Sequence, residues 1–137
     1  MLLLVLLSAA LVLILRTWYQ QNYDCQDGKT PIKNYLVTMD ANQQEYLIEQ
    51  SREFANVHGF RFDVVYYTPN HEEFLVDLTR TDIEIIITNS FTQGEFEISL
   101  YNNNCIRPTT TSDIEGLVTD LKSLIREIPS ATITEEK

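Results

Sequence analysis

The sequence is poor in the residues from which most catalytic and metal sites are built. Its 137 residues include two histidines, two cysteines and four glycines. A metal centre needs three or four ligands at matched spacing, and no such spacing surrounds His58 or His71. The glycines form no phosphate-binding loop, and no serine stands in a G-x-S-x-G elbow. We therefore predict a protein that is not an enzyme, with no catalytic residue, no metal and no cofactor. A small hydrolase built on paired carboxylates is the weaker alternative.

Basic residues are also scarce. Ten Lys and Arg stand against twenty Asp and Glu, which gives a formal net charge of -10 at pH 7. Nucleic acids are bound through phosphate contacts from Lys and Arg, so this charge argues against a nucleic-acid partner. It equally disfavours adsorption of the folded part onto anionic lipid. A protein partner with a basic surface is compatible with it.

One long apolar run stands at the N terminus, with the sequence "MLLLVLLSAALVLIL" and no charged residue. A helix over residues 1–15 is about 22 Å long, which is short of a hydrocarbon core of about 30 Å. Extension to residue 19 nearly spans it, with Arg16 snorkelling and with Trp18 and Tyr19 at the interface. No basic residue precedes the run and no small-x-small cleavage site follows it. We predict an uncleaved membrane anchor at residues 1–19, and a cleaved signal peptide is the alternative.

Our prediction of the side of the membrane on which the domain lies depends on the two cysteines. Cys25 and Cys105 both stand in polar, loop-like contexts. An even number of cysteines outside the core favours a disulfide in an oxidising compartment. Such a bridge would close a loop of about 80 residues and stabilise the fold by roughly 4 kcal/mol. We therefore expect an extracytoplasmic domain with a Cys25–Cys105 disulfide. Arg16 favours the cytoplasmic side by the positive-inside rule, and two unrelated thiols are the alternative to the bridge.

Residues 20–32 are predicted to be a polar tether, and residues 33–137 a small α+β domain organised around a hairpin at Thr81–Tyr101. Apolar and polar residues alternate strictly on both sides of a turn that ends at Gly94. The alternation places two sets of three apolar residues on one buried face: Ile83, Ile85, Ile87, Phe96, Ile98 and Leu100.

The other elements follow from periodicity and capping signals. A strand at 34–39 precedes a helix at 41–58, which Asp40 and Gln43 would cap and Gly59 would end. The inner side of this helix is assigned to Leu47, Ile48, Phe54, Ala55 and Val57. Strands follow at 60–67 and 74–79, the second with a helical alternative. The last helix would be capped by Ser112 with Glu115 three residues on, and ended by Pro129. Residues 131–134 would add an edge strand or fray.

The predicted order is β-α-β-β-β-β-α, with that final strand as an option. Two amphipathic helices would cover one face of a mainly antiparallel sheet of four or five strands, as a two-layer sandwich. This arrangement resembles a variant of the ferredoxin-like split β-α-β fold. The resemblance is architectural and implies no function.

The face of the sheet turned away from the helices is the candidate functional surface. Acidic residues, tyrosines and aliphatic residues alternate onto it. Aromatic anchors among charged residues are typical of protein-binding patches, and an ordinary solvated sheet face is the alternative. The residues chosen as the binding site are Asp63, Tyr67, Asp77, Glu84, Ile86, Glu97 and Tyr101.

We expect from these residues a membrane-tethered domain that acts by protein–protein binding, as an inhibitor or immunity-type protein or as an accessory subunit of an envelope complex. The rival hypothesis is a structural or assembly role of the apolar leader, whose small residues Ser8, Ala9 and Ala10 would pack against other membrane helices.

Overall fold

Six strands and two helices form the domain in a computed structural model that describes residues 11–14, 30–89, 92–103 and 109–136. The strands are β1 (Lys33–Thr38), β2 (Arg61–Tyr66), β3 (Phe74–Thr79), β4 (Ile83–Asn89), β5 (Glu95–Asn102) and β6 (Thr132–Glu135). The helices are α1 (Gln44–His58), preceded by a 3-10 turn at Ala41–Gln43, and α2 (Thr111–Glu127). The prediction of an α+β fold with an antiparallel sheet is confirmed, as is the choice of strand over helix at 74–79.

Little of the predicted anchor and tether lies within the described residues. Residues 11–14 form one helical turn whose side chains are exposed. Over the described ranges, no helix combines the length and the apolar character needed to cross a bilayer. Arg16, Trp18, Tyr19, Cys25 and Cys105 lie outside the described residues. The membrane interface and the disulfide therefore stay predictions.

The sheet has the order β2-β3-β4-β5-β1-β6, and every neighbouring pair is antiparallel. β1 and β2 run in the same direction, but three strands separate them. The expected sheet of four or five strands was too small. Residues 132–135 pair with β1 because Ile133, opposite Val37, packs against the hydrophobic core. That contact holds the C-terminal residues as a sixth strand instead of letting them fray.

One face of the sheet, here called the inner face, is covered by the helices. The predicted alternation of the central hairpin is confirmed, since Ile83, Ile85 and Ile87 have no exposed surface. The buried helical residues join the same core: Leu47, Ile48, Phe54 and Ala55 of α1 with Leu117, Val118, Leu121 and Ile125 of α2. The two helices therefore form a second layer over the inner face.

The N-terminal caps of both helices differ from the prediction. The Asp40 side chain makes no capping hydrogen bond, and the backbone N–H of Gln43 donates to the Asp40 carbonyl oxygen in a 3-10 turn. α2 is capped by Thr110 instead of Ser112, because the Thr110 hydroxyl accepts from the N–H of Asp113 at 3.2 Å. Threonine at the N-cap with an acid three residues on is an equivalent capping pair, two residues earlier than expected.

Val57 was wrongly assigned to the inner side of α1, since it is 73% exposed. Ser51 takes the inner position instead, and its hydroxyl donates to the Leu47 carbonyl oxygen at 2.7 Å. At 100° per residue, Val57 lies well away from the stripe formed by Leu47, Ser51 and Phe54. The hydroxyl of Ser51 is tolerated inside because the carbonyl four residues earlier accepts its hydrogen bond.

The hairpin turn depends on Gly94. Its φ of +80° suits glycine, and a Cβ at this position would lie 2.7 Å from the Met39 carbonyl oxygen. The Met39 N–H also donates to the Gly94 carbonyl oxygen at 2.9 Å. This close backbone approach joins the β4–β5 turn to the end of β1, next to the start of the crossover to α1.

Candidate functional site

The sheet face opposite the helices, here called the outer face, is built from the alternate residues of each strand. The strand registers give its cross-strand neighbours directly: Asp63 opposite Asp77, Asp77 opposite Ile86, Ile86 opposite Ser99, and Ser99 opposite Asn34. One residue pair further along, Val65 lies opposite Leu75. In the other direction, Glu84 lies opposite Tyr101. The buried helical residues belong to the inner-face core, so this face is not covered by either helix.

An apolar band crosses the outer face diagonally from β2 to β5. It consists of Tyr67, Val65, Leu75, Ile86 and Tyr101, and we call it the outer band. Tyr67 is 62% and Val65 48% exposed, and the other three are partly exposed. Directly opposite residues lie about 5 Å apart and diagonal neighbours about 7–8 Å apart, so the band is continuous.

Carboxylates lie on both sides of the outer band. Asp63, Asp77 and Glu84 stand on one side, and Glu73 and Glu97 on the other. Arg61 is the only basic residue among the described strand residues of this face. Its Nε lies 2.8 Å from Asp63 Oδ2. The outer face therefore presents an apolar strip within a strongly acidic surround.

A hydrogen-bonded cluster extends this acidic surface towards β6. Asn34 Nδ2 donates to Glu97 Oε1 at 3.0 Å and to Glu136 Oε2 at 2.7 Å. The Ser99 hydroxyl, 6% exposed, donates to Asn34 Oδ1 at 2.6 Å. Asn34 thus holds two carboxylates and one buried hydroxyl in place, which fixes the orientation of the Glu97 side chain.

The structure brings six of the seven predicted site residues together and sets one apart. Asp63, Asp77, Glu84, Ile86, Glu97 and Tyr101 lie on adjacent strands within one or two residue pairs of each other. Tyr67 lies past the end of β2, and its N–H donates to the Glu73 carbonyl oxygen. Three strand spacings and six residues separate it from Tyr101, which amounts to roughly 25 Å. The two tyrosines therefore stand at opposite ends of the outer band.

Sequence reasoning missed two aliphatic residues of this face, Leu36 and Leu75. Both are half-buried, and both stand between two fully buried residues of the inner face. The same alternation that placed Ile86 on the outer face predicts their position. Leu75 matters most because it connects Val65 to Ile86 and makes the outer band continuous.

Apart from the outer face, a surface groove lies between the C-terminal end of α1, the β3–β4 turn and the first half of α2. This groove of about 380 Å³ is lined by His58, Arg80, Asp82, Ser112, Asp113, Gly116, Leu117 and Asp120. His58 Nε2 lies 3.6 Å from Asp120 Oδ2. Ser112 precedes Asp120 by eight residues of the same helix, about 12 Å along its axis. Among the described residues, Ser112 makes no hydrogen bond to His58, so the groove shows no nucleophile–base pair.

The two histidines make packing contacts. The ring of His58 lies 4.3 Å from that of Phe54, in the last turn of α1, and the ring of His71 stacks on Tyr66 at 4.0 Å. Within the described ranges, no three His, Cys, Asp or Glu side chains converge as metal ligands.

Arg80 anchors the β3–β4 turn to α1. Its guanidinium forms two hydrogen bonds with the Asp82 carboxylate, at 2.6 and 2.9 Å, and donates to the His58 carbonyl oxygen at 3.1 Å. It also lies over the Phe60 ring, 4.7 Å from the centroid. Hydrogen bonding from Arg80 holds the pKa of Asp82 below its ordinary value. This arrangement stabilises the β3–β4 turn, and it pairs the charges of Arg80 and Asp82 in the groove with each other.

A second ion cluster covers the opposite edge of the sheet. Glu135 of β6 lies 2.7 Å from Lys33 Nζ and 3.8 Å from Lys122 Nζ. The hydrogen bond between Lys33 and Glu135 raises the pKa of the lysine and lowers that of the carboxylate. Lys122 also lies over the buried Tyr35 ring, at 4.7 Å. The β6 edge is thus held against β1 and α2 by charged side chains.

Comparison with known proteins gives no family assignment. No model of a known protein family matches the chain, and no curated protein matches it with significant similarity. The functional argument therefore rests on the residues themselves.

We predict that replacing Asp82 by Asn lowers the free energy of unfolding at pH 7 by roughly 0.5–1 kcal/mol. Because the pKa of Asp82 is depressed in the folded state, its contribution is present above the unfolded carboxylate value near pH 4. The contribution is lost as the pH falls through the folded-state pKa. Urea unfolding at pH 7 and at about pH 2.5 measures the difference. The difference in unfolding free energy between variant and wild type should be smaller at the lower pH, and an equal difference at both pH values would contradict the ion pair.

Proposed function

We propose that residues 33–137 form a protein-binding domain whose outer face docks a partner with a basic surface. The observation that carries this proposal is the outer band, an apolar strip of five residues lying among carboxylates. Apolar and aromatic residues supply most of the binding free energy at protein interfaces, and a polar rim surrounds them. The carboxylates would attract a basic partner and orient it before contact.

The shape of the surface favours a macromolecule over a small ligand. The outer band lies on a sheet face and runs about 25 Å from Tyr67 to Tyr101. Small molecules bind in concave pockets that enclose most of their surface. A partner that lays an extended segment or a flat surface across four strands would contact the whole band.

The tether and the compartment belong to the same proposal. Residues 1–19 would anchor the chain in a membrane, and residues 20–32 would link the anchor to the domain on the extracytoplasmic side. An inhibitor or immunity-type protein, or an accessory subunit of an envelope complex, acts by this kind of binding. In fold, we interpret the domain as a ferredoxin-like variant in which the meander between the two helices is extended.

The redox state of the cysteines tests the compartment. In native extracts, we expect Cys25 and Cys105 to resist alkylation until a reductant is added, because an extracytoplasmic space permits the disulfide. A mobility-shift assay of alkylated thiols reads this directly. Two thiols that alkylate freely without reductant would contradict the extracytoplasmic placement, and the outer-face proposal would be unaffected.

For the binding surface, we predict that the pair Asp77→Lys and Glu97→Lys abolishes partner capture. These residues lie on opposite sides of the outer band, and the pair cancels the net negative charge of the rim formed by the five carboxylates and Arg61. The measurement is cross-linked capture by the full chain in membranes of the cells that produce it, followed by quantification of the bound protein. The wild-type complex should also weaken as salt is raised, because a basic partner is held partly by charge.

A matched control changes the net charge equally on the helical layer. Glu53→Lys with Glu127→Lys also adds four charges, at exposed positions of α1 and α2. We expect this control to capture the partner like the wild type, with both variants folded by circular dichroism. Equal loss in both variants would reduce the effect to net charge. Full capture by the Asp77 and Glu97 variant would overturn the outer face as the binding surface.

A further inference from the structure

The two edges of the sheet differ in how they are protected. β6 has four residues and presents Glu135 and Glu136 at its end, with Glu135 held by Lys33 and Lys122. Short strands and charged side chains are the usual means by which an edge avoids pairing with another chain. β2 at the other edge has six residues, and its two charges, Arg61 and Asp63, neutralise each other in one ion pair.

The backbone of β2 presents outward-facing hydrogen-bonding groups at regular spacing. Tyr67 and Glu73 form a hydrogen-bonded pair between β2 and β3. In an antiparallel ladder, hydrogen-bonded pairs alternate with pairs that do not bond to each other. Residues 61, 63, 65 and 67 therefore bond to β3. The N–H and C=O groups of Phe62, Val64 and Tyr66 point away from the sheet, and β2 has no described neighbour on that side.

The side chains of this edge are also incompletely covered. Phe62, Val64 and Tyr66 lie on the inner face but stay partly exposed, whereas their neighbours Phe74, Val76 and Leu78 on β3 are fully buried. Arg52 lies over the Phe62 ring at 4.5 Å, which covers that ring from the α1 side only. The core thus continues to the edge of β2, where no strand or helix of the described residues lies beyond it.

We propose that β2 pairs with β2 of a second copy of this chain, in an antiparallel, two-fold symmetric register centred on Val64. This register places Phe62 opposite Tyr66 of the second copy and Val64 opposite Val64. All three outward-facing residues then form hydrogen-bonded pairs, which gives six backbone hydrogen bonds from the ladder rule. Moving the register by two residues reduces these to about four.

The charges favour the same register. Asp63 lies opposite Val65 of the second copy, and Arg61 opposite Tyr67, so no carboxylate faces another directly. With the register centred on Asp63 instead, Asp63 would face Asp63, and like charges directly opposite are destabilising. On the inner face, the pairs join aromatic and β-branched side chains, which stabilise antiparallel sheets. The result is one continuous twelve-stranded sheet with the helices of both copies on the same side.

The pairing would be weak and concentration-dependent. Seven residues of edge span about 23 Å, and a single strand junction falls at or below the roughly 1,200 Å² of small specific interfaces. A common membrane anchor, where present, would raise the effective concentration of the two copies. The proposal does not depend on the outer-face function, because the junction uses the edge of β2 and leaves most of the outer band free.

The test uses two opposite charges at one exposed position. Val65→Asp would place carboxylates against Asp63 at two symmetric points of the junction, whereas Val65→Lys would form two ion pairs. Sedimentation of the full chain in detergent, over a concentration series, measures the dimer association constant. We expect a decrease of roughly tenfold for Val65→Asp and an increase of several fold for Val65→Lys.

Matched controls stand on the opposite edge. Thr134→Asp and Thr134→Lys make the same charge changes on exposed β6 and should leave the association constant unchanged. Val64→Pro removes an outward N–H of β2 and should abolish the dimer, while Ile133→Pro removes an outward N–H of β6 and should not. If the proline variants fail to fold, the charge pair decides alone. A chain that is monomeric throughout, or a dimer insensitive to Val65→Asp, would overturn the proposal.

Discussion

The burial of every second residue in β4 constrains the rest of the domain. Ile83, Ile85 and Ile87 lose all contact with solvent beneath the two helices. Each such side chain contributes about 1.5–3 kcal/mol on burial, so a slip of the strand by one residue would move this whole contribution to the solvent side. The registers of β3 and β5 follow from that of β4, and the outer face is what the same alternation leaves uncovered.

This coupling gives the outer face its character. Its residues are free of the packing demands that make the centre of the inner face apolar, yet Val65, Leu75 and Ile86 are aliphatic and adjacent across the strands. Aliphatic residues at single positions of a solvated sheet need no explanation, but a continuous band ending in two tyrosines does. The carboxylates beside it disfavour self-association through this face, because two such faces repel each other.

The sequence predicted those elements whose signal is local. Period-two alternation placed the hairpin, and periodicity of 3.6 gave the stripe of α2 from Leu117 to Ile125. The order of the strands across the sheet was harder to predict. β1 is followed by α1 and β2 in the chain, yet it pairs with β5 and β6 through long-range contacts that no local pattern encodes. The candidate residues lie on one face of the sheet, as the alternation predicted, but the distance between Tyr67 and Tyr101 required the strand order.

The most direct test of this account compares two neighbouring isoleucines, Ile85 and Ile86, each replaced by threonine. Threonine keeps the β-branched shape, so strand propensity changes equally at both positions. Chemical denaturation should show a loss of roughly 2–4 kcal/mol for Ile85→Thr, which buries a hydroxyl in the core, and less than about 1 kcal/mol for Ile86→Thr. Equal losses at the two positions would contradict the division into a helix-covered inner face and an open outer face.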